Sequence, residues 1–590
     1  MKTEYNEYHN IIHKEMWIDA HSNYNLKKFG DHRRLEETLW EGLMKRAVWY
    51  ENSVEKNNIS YDEYEDCKQE DELLQCIIDK KFNLKETENG AWGYRTTGKA
   101  LVDLNFKVSS LRNAKESYIV NGFIKAFYES PYYATKWLFF LRDISQGLGE
   151  RRTFQICMKY VADSHPKLMK KLIPLIPQYG RYDDLLALLD TDLCNETATF
   201  LQQQITKDLL SMKEQKPISL LAKWLPSINT SSGRSCNQAK ILIKNWGINE
   251  KEYRKMLSSL RRYLDIVEVK MSASKWEEID YEKIPAKANM MYEAAFEKHD
   301  YERREVYLNQ VIKGRAKLNA KGIMPHEIVH RFKRKNFYET TVKDNLMGEL
   351  MWQNLLQQGF ENNWGLEDCI VVADGSGSMY QCVSGNSKIR ASEICSALAI
   401  YFAQQLQGVF HDKVITFSET PQFVNLSKGN NLKEKLEILL SHNEVANTNI
   451  EAVFELLLDL ALENEVPKEM IPKSVLIISD MEFDAASTPK RWSKENFHKF
   501  TPTLFQSIEE KYQKSGYPMP RLIFWNVCGR SNTIPKVDHD QGICLLSGFS
   551  QNAMKIAANK EKKSPYESLI QALDSPRYKP VDLALKTLQM

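Results

Sequence analysis

Cys369-Ile370-Val371-Val372-Ala373-Asp374-Gly375-Ser376-Gly377-Ser378-Met379 reads as a short apolar strand running out into a polar, glycine-rich turn. Apolar residues in a row, without alternation, suit a strand covered on both faces. Downstream, Ile394, Ala397, Leu398 and Tyr401 fall at helical spacing, so strand, turn and amphipathic helix follow in order. The same grammar then repeats. KVITF (413–417), SVLIIS (474–479), RLIFWNV (521–527) and GICLLS (542–547) are further apolar runs bounded by polar or turn residues, and Ile450, Val453, Phe454 and Leu457 mark a second helix. Strands of this kind alternating with helices predict a doubly wound α/β domain, which binds its ligands beyond the carboxyl ends of its strands.

That edge collects oxygen-bearing side chains. Ser376 and Ser378, at i and i+2 on a turn loosened by glycine, can both face one ion, and Asp374 at the strand end can hold the ion or its waters. Thr448 stands immediately before the second helix, and Asp480 ends the strand SVLIIS. A hard cation such as Mg²⁺, or Mn²⁺ or Ca²⁺, is bound by such oxygens. Each residue has a plainer reading: Thr448 as a helix N-cap, Asp480 as a turn residue. The arrival of all five at one rim of one sheet favours the metal.

Upstream the pattern is helical. Trp137, Phe140, Leu141 and Ile144 share one helical face, and Phe154, Cys157, Met158 and Val161 repeat the spacing. Breaks fall at Gly147–Gly149, Pro174, Pro177 and Pro217. Helix, break, helix without intervening strands predicts an irregular, HEAT-like α-helical solenoid. GAWGYRTTGKA (90–100) reads as a linker, and the residues before it as polar helices without a chemical motif.

Bulk properties set the limits. An apolar share of 43% and a charged share of 27% are those of a folded, soluble chain. No run of about 18 uncharged apolar residues is present, and the start of the chain lacks a secretion signal, so no membrane association is expected. The ten cysteines form no CxxC pair, which argues against a zinc ribbon and fits a reduced, cytoplasmic protein. Residues 1–90 hold 13 Lys/Arg against 20 Asp/Glu, whereas residues 231–345 hold 24 against 16. The second surplus can attract a polyanion; its plainer reading is a solvated helical surface.

Asp374-Gly-Ser376-Gly-Ser378, Thr448 and Asp480 resemble the metal-ion-dependent adhesion site of von Willebrand A domains, over roughly residues 365–590. The resemblance implies that the serines and threonine bind the ion directly, that the aspartates act directly or through water, and that a last position is left for a partner's acidic group. SLLAKWLPSINTSS (219–232) and RDISQGLGERR (142–152) resemble signatures of the TROVE module of the Ro ribonucleoprotein and its relatives. The runs YEKIPAKA (281–288), GRAKLNAKGIMPHEIV (314–329) and SDMEFD (479–484) resemble a sister family of plants, bacteria and large viruses, over roughly residues 95–590. This implies a TROVE-like helical-repeat domain at 91–350 and an A-type domain at 351–590; residues 1–90 fall outside the resemblance and read, from their own composition, as an acidic helical accessory region.

Ro-type proteins are helical rings closed by the A-type domain, and they bind small structured RNAs and single-stranded RNA ends. By that resemblance the RNA-facing candidates are Arg254, Lys255, Arg261 and Arg262, with Arg331, Lys333, Arg334 and Lys335 interleaved with Phe332, Phe337 and Tyr338. Positive side chains follow phosphates and aromatics stack on bases; the plainer reading makes the aromatics core. The function expected is a non-catalytic RNA-binding scaffold or chaperone. One rival is a protein-interaction module whose metal coordinates a partner's acidic residue. Another is a zinc peptidase, because His326-Glu327-Ile328-Val329-His330 matches H-E-x-x-H, although a third ligand would still be needed.

Overall fold

The computed structural model describes residues 83–586 except 88–91, 333, 335–338, 362–367, 385–386, 418–420, 444–449, 484–503, 531–532, 536–541 and 558–562. The chain divides after Phe82 into two units, and the account below is of the second, Asn83–Met590. Its strands are β1 (Leu84–Glu86), β2 (Trp92–Tyr94), β3 (Cys369–Asp374), β4 (Lys413–Phe417), β5 (Gln422–Asn425), β6 (Ser474–Ser479), β7 (Arg521–Asn526) and β8 (Ile543–Ser547).

The apolar runs of the C-terminal half all become strands of one six-stranded sheet, in the order β5-β4-β3-β6-β7-β8. β3, β4, β6, β7 and β8 run parallel, and every residue of β3 and β8 is buried, which is why their sequences do not alternate. β5 is the exception. It pairs antiparallel with β4 at the edge and its burial is mixed, so its sequence gave no comparable signal. The order reverses at β3, which has the next strand in sequence, β4, on one side and β6 on the other. A crevice therefore opens between the carboxyl ends of β3 and β6, where doubly wound sheets take their ligands. Helix Ala391–Gln405 covers the sheet next to this point, with Ile394, Ala397, Leu398 and Tyr401 all buried.

The N-terminal part of the unit is helical from Ala100 to Phe360. Helices Pro131–Arg142 and Arg152–Ser164 bury the apolar faces expected of them, although Ile144 lies beyond the end of the first. Pro174 and Pro177 do not interrupt the chain. They occupy the first turns of two short segments, Ile173–Leu175 and Ile176–Tyr179, where a missing N–H costs nothing. Within the expected linker at 90–100, Trp92–Tyr94 is instead one strand of a hairpin. Leu84 pairs with Tyr94 and Glu86 with Trp92, and Tyr94 also exchanges both backbone hydrogen bonds with Ile534, in the loop after β7.

Helical part and sheet share one continuous core. Polar contacts also join them at buried positions. Asn526 accepts from the Ser109 hydroxyl at 3.1 Å and donates to the Phe106 carbonyl at 3.1 Å. At the other end of the sequence, fully buried Lys136 pairs with Asp574 (2.5 Å) and Asp582 (2.9 Å), and Asp143 with Arg577 (2.7 Å). No helix among the described residues is long and apolar enough to cross a membrane.

Candidate metal centre

Parallel pairing of Ala373 with Ile478 sets the ends of β3 and β6 side by side. Asp374 is thereby brought to Ser479, whose hydroxyl donates to Asp374 Oδ2 at 2.6 Å; the Ser376 amide donates to Oδ1 at 2.9 Å. With both oxygens held, the Asp374 carboxylate has one orientation. Ser376 Oγ and Ser378 Oγ lie 3.1 Å apart, and a hydrogen bond from Ser378 reaches Asp480. Asp374, Ser376, Ser378 and Asp480 thus form one connected group of oxygen atoms at the crevice. Thr448, the fifth residue expected here, lies outside the described residues. The approach to its loop is defined: Asn443 packs on Gly375 so closely that a side chain at 375 would meet the Asn443 amide at 2.9 Å.

The electrostatics are those of buried acid in excess. Asp374, Asp480 and Glu482 are all almost wholly buried. Burial, reinforced by the negative charge of Asp374, pushes the Asp480 carboxyl up to about 7, against a lowering hydrogen bond from Ser378. The cation beside Asp480 is Arg530, with Nη2 at 3.5 Å from Oδ2, and the Arg530 amide donates to Glu482 Oε1 at 2.9 Å. Met481, between the two acids, has φ +64°, a left-handed conformation costly for a residue with a Cβ. The turn is held from both sides: the Met481 amide donates to Ser479 Oγ and the Glu482 amide to Asp480 Oδ1. An all-oxygen set of carboxylates and hydroxyls, short of positive charge, fits a hard divalent cation better than a soft one.

Ser479, Glu482 and Arg530 were not among the residues expected from the sequence. The first two sit in the run SDMEFD, already singled out, and alternation along a strand end could have pointed to Glu482. Arg530 carries no local signal, because only the fold brings the loop after β7 to this place.

The remaining candidates separate by environment. Arg254, Lys255 and Arg262 are exposed on helix Glu250–Tyr263, whose buried residues are Tyr253, Leu257 and Leu260. Arg261 on the same helix is not available to a phosphate. Its guanidinium donates to the carbonyls of Ala222 (2.9 Å) and Leu225 (2.7 Å) and to Ser227 Oγ (2.8 Å), closing the AKWLP turn. Arg331 pairs with Glu293, and Arg334 lies 6.0 Å from the centre of the Tyr380 ring. Lys333, Lys335, Phe337 and Tyr338 lie outside the described residues; Phe332 is buried core. Trp224, in the signature run SLLAKWLPSINTSS, is half-buried, with the Arg181 guanidinium 4.1 Å above its ring. In the run RDISQGLGERR, Arg142 and Arg151 both pair with Asp184, and Glu150 pairs with Arg112.

The H-E-x-x-H reading is corrected by its surroundings. Glu327 accepts from the Met324 amide at 2.9 Å and pairs with Lys287 at 2.9 Å, which makes it a helix cap. His330 Nδ1 lies 2.8 Å from Glu393, whereas His326 is buried edge-on against Phe549. Burial pushes the His326 pKa down to about 3, helped by the nearby charge of Arg112. Among the described residues no group of three His, Cys, Asp or Glu is arranged to hold a metal, so the third zinc ligand that this chemistry needs is not found there.

Residues 368–577 match a family model described as a domain of unknown function, DUF7788, and residues 87–204 and 244–361 match one described as a domain of unknown function, DUF2828. Uncharacterized protein L728 of Acanthamoeba polyphaga mimivirus is 28% identical over 552 residues, covering 86% of this chain and 90% of that protein. Among solved structures, the Deinococcus radiodurans Ro (RSR) protein matches over 76% of this chain and 92% of that chain, at 12% identity and a TM-score of 0.32. So distant a likeness carries no argument about function.

Proposed function

We propose that this protein is a non-catalytic, cytoplasmic RNA-binding scaffold or chaperone of the Ro type, and that its sheet is a von Willebrand A-type domain holding a hard divalent cation. The observation that carries the metal reading is the connected set Asp374, Ser376, Ser378 and Asp480 at the point where strand order reverses. Mg²⁺ suits it, with Mn²⁺ or Ca²⁺ as substitutes, and Thr448 would add a further hydroxyl. When bound, the cation supplies a positive centre to which an anionic oxygen can coordinate. The chain's own part is orientation: Ser479 and the Ser376 amide fix Asp374, and the turn at Met481 fixes Asp480.

RNA is favoured as partner by the TROVE-like signatures and by the exposed basic face of Arg254, Lys255 and Arg262, which follows phosphates without reading sequence. The helical part would be an irregular solenoid presenting that face. Crosslinking followed by RNA sequencing on protein from its native cell tests this. Enriched small RNAs, released steeply by salt, are expected; recovery at background level would overturn it. The second reading, a metal-dependent module for an acidic protein partner, is favoured by the place of the centre, on elements distinct from the basic helix. Partner capture abolished by chelator, with RNA binding absent, would select it.

A further inference from the structure

Helices Ala100–Phe106 and Val108–Leu111 meet at Lys107, and their junction is seated on the carboxyl ends of β7 and β8. Asn526, the last residue of β7, bonds both Phe106 and Ser109; Ser547, the last of β8, accepts from the Ser109 amide at 3.0 Å. Phe106 and Val108 are buried on either side of Lys107, whose half-buried side chain therefore starts from fixed backbone. The hairpin reaches the same rim. Thr87 Oγ1 donates to the Phe483 carbonyl at 2.6 Å, in the loop after β6, and a side chain at Gly93 would meet the Ile534 carbonyl at 2.9 Å, in the loop after β7. Lys85 and Thr87 lie two apart on an extended chain and leave it on one side. Lys85 is thus carried to the rim as well, where the charge of Glu482 acts on it.

Positive charge is in excess here. Burial holds the Lys85 ammonium below the ordinary lysine range, and the charges of Arg95 and Lys107 add to this against Glu482. Burial lowers Lys107 too; Asp103 opposes the shift and Lys125 adds to it. The two carboxylates already have partners. Asp103 Oδ1 accepts from the amide and the hydroxyl of Thr97, each at 2.7 Å, and Glu482 accepts from the Arg530 amide. Among the described residues nothing accepts a hydrogen bond from the Lys107 ammonium. An ammonium partly withdrawn from water, with like charges around it, gains most from an anion that brings several acceptor oxygens.

We propose that Lys85 and Lys107 form an oxyanion subsite that takes a phosphate monoester, with Arg95 and Lys125 drawing the anion in from the rim. A monoester carries close to two negative charges at neutral pH and three acceptor oxygens, enough for both ammonium groups; a carboxylate brings one charge and two oxygens. Glu482 lies two residues beyond Asp480, so the subsite adjoins the candidate metal centre without sharing its residues. As the seat of a terminal phosphate of RNA the subsite rests on the RNA reading above; as an oxyanion site it stands without it.

Equilibrium dialysis of the full chain against inorganic phosphate, with chelator present so that no metal takes part, is the test. Lys107→Gln and Lys85→Gln are each expected to weaken phosphate by about tenfold, the loss of one charge-assisted hydrogen bond, and Lys107→Arg to stay within a few-fold of wild type. Phosphate that does not bind, or binds equally to wild type and both glutamine variants, would overturn the subsite. A readout on the unaltered chain does not depend on how a variant folds. Phosphate should slow acetylation of Lys85 and Lys107 several-fold, read by peptide mass spectrometry, and leave exposed Lys213 unchanged. Glutamate protecting the two lysines as strongly as phosphate would overturn the phosphate assignment in favour of an acidic side chain. One short RNA with and without a terminal phosphate separates the sources. Tighter binding of the phosphorylated form, lost in Lys107→Gln, assigns the subsite to an RNA end; equal binding, with inorganic phosphate still protecting the lysines, assigns it to a free phosphate compound. RNA that does not bind in either form removes the RNA reading, while the phosphate titration still decides the subsite.

Discussion

The Ser479 hydroxyl donates to Asp374 Oδ2 at 2.6 Å across the junction of β3 and β6, at the place where the strand order of the sheet turns back. One hydrogen bond thus ties the last residue of β6 to the last residue of β3 and aims the carboxylate on which the candidate centre depends. A ligand bound there would stabilise the folded protein in proportion to its occupancy.

Addition of Mg²⁺ or Mn²⁺ at about one hundred times its Kd should therefore stabilise the unit by about 2.7 kcal/mol. A rise of a few degrees in Tm, reversed by chelator, is expected in differential scanning calorimetry. Asp374→Ala should abolish the rise. Asp480→Asn should abolish it too, while leaving the metal-free protein at least as stable as wild type, because a buried like charge beside Asp374 has been removed.

His326 gives a pH dependence of determinate sign. Its folded pKa is depressed to about 3 from 6.5, so between these values the unfolded chain takes up a proton that the folded chain refuses. The stability tied to His326 is complete above pH 6.5 and is lost as pH falls toward 3, at up to about 1.4 kcal/mol per pH unit. Urea unfolding at a series of pH values should show a shallower acid limb in His326→Leu than in wild type. Parallel limbs would contradict this account of its burial.

Neighbouring arginines on one helix should behave oppositely. Arg261→Ala leaves the carbonyls of Ala222 and Leu225 without their donor and is expected to destabilise the protein by about 1–3 kcal/mol. Arg262→Ala should leave the melting temperature unchanged. If RNA lies on this face, Arg262→Ala should also weaken binding across sequences and lower the slope of log affinity against log salt by about one. Melting curves and filter binding at several salt concentrations separate the two effects.

Met481 is strained by its positive φ. Met481→Val, which adds a branch at Cβ to a left-handed residue, is expected to cost about 1–3 kcal/mol and to weaken Mn²⁺ binding, because Asp480 and Glu482 both hang from that turn. Calorimetry and Mn²⁺ titration on the same sample read both quantities.

Strands buried on both faces were legible because apolar residues fill them almost throughout, with polar ones at their ends; β3, β6 and β7 follow their sequence runs to within a residue. The short edge strand β5 and the hairpin of β1 and β2 were not, since three or four residues paired at a margin have neither length nor period. Asp374, Ser376, Ser378 and Asp480 could be read because each ends a strand or begins the loop after it. Arg530 could not, as its place depends on long-range register. Arg261 and Arg262 show the same limit in reverse: identical chemistry at adjacent positions, one turned to a backbone and one to solvent by a difference of about 100° around a helix.

The ion pairs of Lys136 with Asp574 and of Asp143 with Arg577 join residues more than 430 positions apart in sequence. On a ribosome, the helices made early must wait, with an ammonium and a carboxylate in their side chains, for counter-charges that emerge more than 430 residues later. Assembly is therefore completed only after synthesis of the sheet, and a fragment ending near residue 360 would carry a lysine shaped for burial with nothing to answer its charge.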